Sequence, residues 1–119
     1  MTIHVRIHRG VEEQIRSLLD SSRESDNVAA IQLIEIMQEI ADEGRLAGKV
    51  IEGAPGLPQL WFLDLGSSIT AFYSATYRGA IPHEVRLLDV VKTRPLVQLK
   101  ALIPELRRKA SSVQGTDGS

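Results

Sequence analysis

The shortness of the connections in the second half of the chain limits the fold more than any other feature. Three strand-like runs, Gln59–Leu65, Ile69–Arg78 and His83–Val91, are joined only by "GSS" and "GAIP". A crossover between parallel strands needs a dozen or more residues, so neighbours this close in sequence run antiparallel and form a meander. Just upstream, "KVIEG" reads as a further short strand. "APGLP" reads as turn material, because each proline would interrupt a sheet ladder.

The first half has different periods. In "TIHVRIH", residues 2–8, Ile3, Val5 and Ile7 alternate with His4, Arg6 and His8, the pattern of a half-buried strand. Val11, Ile15, Leu18 and Leu19 then fall at helical spacing, with Glu12 and Glu13 in the first turn, and this helix ends near Asp20. After "SSRESDN", Ser25 or Asp26 is expected to cap a second helix, which carries Val28, Ile31, Ile34, Met37, Ile40 and Ala41 and stops before Gly44. Leu33 and Ile36 widen its apolar face, which suits a helix lying against a sheet. Helical character returns over Leu96–Ala110, where Pro104 implies either one bent helix or two short pieces. The closing "SSVQGTDGS" reads as a flexible tail.

The expectation is therefore an α+β fold in the order β-α-α-(β)-β-β-β-α. A twisted antiparallel sheet, made of the first strand and a three- or four-strand meander, carries two N-terminal helices on one face and is followed by a C-terminal helix. Residues 1–110 form a single domain and 111–119 a tail. A chain of 119 residues is long enough to bury a core without staples.

Composition narrows the function. With no cysteine there is no disulfide framework and no thiolate zinc site. No apolar run reaches the roughly 20 residues of a membrane span, and the N-terminus does not read as a signal peptide, so a soluble cytoplasmic protein is expected. The net charge of −1 conceals a division. Residues 11–48 hold nine acids against three arginines, and residues 78–109 hold eight bases against three acids. Such asymmetry fits an acidic helical face and a basic face that meets phosphates or an acidic partner, and fits two ordinary solvated faces equally well.

Together the segments "KVIEGAPGLPQLWFLDL", "ITAFYSATY" and "EVRLLDVVKTRPLVQLKAL" resemble the RelE/ParE/HigB superfamily of toxins from bacterial toxin–antitoxin modules, in particular the phage-derived HigB-like branch. The resemblance covers about residues 2–103 and is strongest in "LWFLDL" and "LLDVVKTRPL". It implies a RelE-like sheet with two helices on one face and the other face open. It also implies a type II toxin that arrests growth by inhibiting translation, as a ribosome-dependent mRNA interferase. In that metal-independent endoribonuclease reaction a base takes the proton of a 2′-hydroxyl, cations steady the phosphate, and an acid protonates the leaving oxygen. The resemblance implies no cofactor, no metal and no membrane. Its partners are a cognate antitoxin, the ribosome and mRNA, in a homodimer or a toxin–antitoxin hetero-oligomer. Two alternatives stay open: a ParE-like inhibitor of DNA gyrase, and a catalytically degenerate member that only binds a protein partner.

Lys92 and Arg94 fall on the family's basic cluster after the last strand and, two apart, point the same way to clamp a phosphate; the plainer reading makes them gatekeepers of an apolar strand. His83 is a candidate for acid–base work. Tyr73 shares a face with Tyr77 and is a candidate for proton transfer or base stacking, against the commoner role of core packing. Lys49, Arg78 and Arg86 are the candidate RNA or phosphate contacts. His4 and His8 line a sheet surface, and Trp61 belongs to the core. Several positions depart from the family pattern: Phe62 and Asp64 replace an acidic and a basic residue, Ile69 and Thr70 replace a Tyr-Arg pair, Asp89 replaces a histidine, and Leu99 lies where a tyrosine is usual.

Overall fold

The meander forms as its short connections require. In the computed structural model, which describes residues 3–53, 57–65, 69–92 and 100–116 (backbone alone for Lys92 and 111–116), the chain opens with β1 (His4–Ile7). Later come β2 (Lys49–Glu52), β3 (Gln59–Asp64), β4 (Ile69–Arg78) and β5 (Ile81–Lys92), each antiparallel to the one before. Gly79, with φ 63°, takes the first place of the two-residue loop between Arg78 and Ile81, where primed hairpin turns need a positive φ. β1 joins the outer edge of β5, with Val5 opposite Val85 and Ile7 opposite Leu87, giving the order β1-β5-β4-β3-β2. That junction is parallel, so the sheet is mixed there and antiparallel across the meander. The helices after β1 are long enough to carry a crossover, and apolar alternation does not encode direction.

α1 (Arg9–Leu19) begins directly after the strand, because His8 turns back as its N-cap and its Nδ1 accepts from the Gly10 N–H at 3.3 Å. Its C-terminal carbonyls are satisfied from outside. The Asn27 amide donates to the carbonyls of Leu18, Leu19 and Ser21 at 2.7, 3.1 and 3.1 Å. α2 (Glu24–Glu43) therefore starts earlier than Ser25 or Asp26 would place it. Its N-cap is Arg23, without a side-chain cap, and Asp26 accepts from the Ser21 hydroxyl at 2.8 Å. Gly44, at φ 74°, ends it in the left-handed conformation as the sequence implies.

One face of α2 meets one face of the sheet. Ala29, Leu33, Met37 and Ile40 pack on Leu63, Ala71, Tyr73, Ala75, Val85 and Leu87. The alanines let backbones approach closely, and each fully buried aliphatic side chain contributes about 1.5–3 kcal/mol. Trp61 is half-buried and stacks on Tyr73, with ring centroids 5.9 Å apart and planes 14° apart. The link from α2 to β2 crosses tightly over this face: the Tyr73 hydroxyl donates to the Ala47 carbonyl. Gly48, at φ 93°, sits where any Cβ would run into the Phe62 carbonyl.

The second face is covered as well, whereas the family resemblance implied an open one. α3 (Ile103–Thr116) buries Leu106 and Ala110 against Leu60, Phe72 and Leu88. Lys100 and Ala101 are helical and Leu102 is a turn, so a break precedes this helix, as the two-piece alternative has it, and Pro104 lies in its first turn, where a missing N–H costs nothing. The helix also runs on to Thr116, past Ala110, since each added residue gains a hydrogen bond on a turn already anchored by packing.

Candidate functional site

Lys92 is the last residue of β5, its backbone opposite Ile69, so the apolar run does end at the first cation of "KTR". Arg94 and Leu99 lie outside the described residues. His83 is on the same strand but nine residues away, roughly 30 Å at the rise of an extended chain. It is exposed beside the irregularity in the β4–β5 pairing near Thr76 and Tyr77. His83 and Lys92 therefore cannot act on one phosphate.

Tyr73 is not a surface group. It is fully buried, donates to Ala47, and burial pushes its hydroxyl well above its ordinary pKa. As the central aromatic of the helix-side core it is no candidate for proton transfer at a surface. Tyr77, by contrast, is 36% exposed, and its partial burial raises its pKa also.

The three expected phosphate contacts separate. Lys49 is exposed at the start of the edge strand β2, opposite Phe62, and Arg78 is exposed at the β4–β5 turn. Arg86 is not a surface cation. Its guanidinium pairs with Glu84 and reaches the Ala110 carbonyl at 3.3 Å, fastening α3 to the sheet. Glu84 also accepts from Arg6 Nε at 3.1 Å. Burial works to raise the Glu84 pKa, but the hydrogen bonds and charges of Arg86 and Arg6 outweigh it and hold the carboxyl below its usual range.

Most of the remaining basic charge on this face serves the same purpose. Arg107 Nε and Nη2 donate to Glu52 Oε1 at 3.1 and 2.9 Å, and Nη1 donates to the Pro58 carbonyl. Lys109 Nζ reaches Asp89 Oδ2 at 3.0 Å. Asp89, one of the positions that depart from the resembled pattern, is nearly buried and accepts from Gln14 Nε2 at 2.9 Å as well. Beyond the end of β1 the outer edge of β5 has no strand partner among the described residues, and the Val90 N–H is taken up there by Gln14 Oε1 and Asp89 Oδ1 at 3.1 and 2.9 Å. Asp89 thus joins α1, β5 and α3.

Sequence reasoning missed these struts. The only local signal was Glu84 and Arg86 two apart on one strand face; Arg6, Gln14 and Lys109 come from distant segments. Among the described residues no three His, Cys, Asp or Glu side chains converge as a metal would need, and no helix is long and apolar enough to cross a membrane. No family model, curated protein or solved structure matches the chain.

Proposed function

We propose that the chain is a cytoplasmic toxin of a type II toxin–antitoxin module, a member of the RelE/ParE/HigB superfamily, that arrests growth by holding a macromolecular target instead of cutting it. The observation that carries the reading is the topology: a first strand, a helix pair on one face, a four-strand meander and a closing helix. The first strand, the helix pair on one face and the meander follow the plan that the resemblance over residues 2–103 implies; the parallel β1–β5 junction and the helix over the second face depart from it. Holding is favoured over cutting because the two proton-transfer candidates are lost to the basic end of β5, His83 by distance and Tyr73 by burial. A phosphate clamped by Lys92 and Arg94 would be bound with neither of them near it. DNA gyrase is the target that a ParE-like mode of action would select, and a cognate antitoxin would hold the toxin inactive.

Inducing the chain in bacteria and assaying gyrase supercoiling with the purified protein tests this reading. Growth arrest with failed supercoiling supports it, and a culture that grows at the uninduced rate removes the toxin reading altogether. A second reading, ribosome-dependent mRNA cleavage, is favoured by Lys92 closing β5 with Arg94 two residues on, where cations would steady the charge of a scissile phosphate.

A further inference from the structure

α2 has two apolar stripes, and the fold uses one. Ala29, Leu33, Met37 and Ile40 face the core, whereas Ile31, Ile34, Gln38 and Ala41, at 3-4-3 spacing, form a second stripe toward solvent. Ile31 is 48% exposed and Ile34 37%. Ile34, Gln38 and Ala41 of this stripe line a groove of about 300 Å³ with Val5 and Ile7 of β1 and Ile15 of α1, floored by core residues such as Leu33 and Met37; Gln38 is the polar exception among the described lining, and Ile31 lies on the stripe outside that lining. Ile7, at its rim, is 41% exposed. An apolar stripe of this length, open to water, is a recognition surface more often than a neutral one.

The charge of its lip says what fits. α2 holds six acids and no base. At 100° per residue Glu24, Glu35 and Asp42 fall within about 40° of Ile31, so they form a ridge along the outer side of the stripe. All three are exposed, and among the described residues no cation pairs with them. A second copy docked α2 to α2 would set six acids against six, which like-charge repulsion opposes.

We propose that this groove docks a basic amphipathic helix of a partner protein. The partner's apolar residues lie along Ile7, Ile31 and Ile34, and its lysines or arginines meet Glu24, Glu35 and Asp42. The stripe from Ile31 to Ala41 is about 15 Å long, which suits about three turns of partner helix. This surface is separate from the basic end of β5, so the proposal stands or falls independently of the toxin reading.

The test uses a synthetic peptide of about 18 residues with leucines at helical spacing flanked by lysines, and a counterpart with glutamates in place of the lysines. Fluorescence anisotropy is read at low and moderate salt. The lysine peptide is expected to bind at micromolar concentration, more weakly as salt rises, and the glutamate peptide not to bind. Ile31→Ser with Ile34→Ser raises the dissociation constant at least about tenfold. Glu35→Lys with Asp42→Lys weakens the lysine peptide by about tenfold and lets the glutamate peptide bind. If the serine variant fails to fold, the charge-reversed variant decides. Equal binding of both peptides, or no binding up to about 1 mM, overturns the proposal, since millimolar affinity is the floor of specific recognition. So does sedimentation showing a dimer that the serine substitutions disperse.

Discussion

Replacing Asp89 distinguishes a structural strut from a vestige of an active site. Its carboxylate accepts from Gln14 at 2.9 Å, from Lys109 at 3.0 Å and from the Val90 N–H at 2.9 Å. In Asp89→Ala the Val90 N–H keeps Gln14 Oε1 at 3.1 Å, so the loss falls on the Gln14 amide and the Lys109 ammonium. Hydrogen bonds to a charged group contribute about 1.5–3 kcal/mol each, and both donors are partly exposed and regain water, so the sum should be about 3 kcal/mol. Asp89→Asn keeps the Oδ1 contacts and loses mainly the attraction to Lys109, whose side chain is 24% exposed, for about 1 kcal/mol. Urea unfolding followed by circular dichroism reads both values; with a slope of about 1.5–2 kcal/mol per molar, Asp89→Ala should lower the midpoint by about 1.5–2 M. A double-mutant cycle with Lys109→Met should return about 1 kcal/mol of coupling. Wild-type stability in Asp89→Ala, within about 0.5 kcal/mol, would refute the strut.

Three further outcomes follow from the same geometry. Gly48→Ala should cost 2 kcal/mol or more by urea unfolding, roughly 1 for the positive φ and the rest for the collision with the Phe62 carbonyl; a cost near zero would show that the link to β2 shifts freely. Because burial raises the Tyr73 pKa, its stabilisation is fully present below the unfolded value of about 10 and is lost as pH rises beyond it. The alkaline fall in melting temperature should therefore be shallower in Tyr73→Phe, at a neutral-pH cost of about 1 kcal/mol for the bond to Ala47, and an unchanged alkaline slope would contradict the assignment. Lys92→Ala with Arg94→Ala should abolish growth arrest while leaving the melting temperature within a few degrees. Retained toxicity would move the site elsewhere.

What the sequence disclosed and what it hid divide along physical lines. Most short-range rules held, the cap of α2 at Ser25 or Asp26 being the exception. Connection length set the antiparallel meander, Gly44 ended α2 at the expected place, and alternation put Tyr73 and Phe72 on opposite faces. What depended on partners distant in sequence was not legible. The direction of β1 follows from the path of two helices, and the covering of the second face follows from Leu106 and Ala110 meeting Phe72 and Leu88. Two of the positions singled out take their surroundings from distant segments as well. Arg86 reads as a surface base until Arg6, Glu84 and Ala110 are seen around it, and Asp89 reads as a substituted catalytic position until Gln14 and Lys109 close on it. Lys92 and Arg94 remain the basic pair the sequence singled out, while His83 and Tyr73 belong to other parts of the molecule.

The claim that the chain holds its target without cutting it is tested most directly by mapping transcript 5′ ends genome-wide within minutes of induction in growing bacteria. Arrested growth with transcript ends indistinguishable from those of an uninduced culture is expected, and in-frame cuts accumulating on translated messages would contradict it.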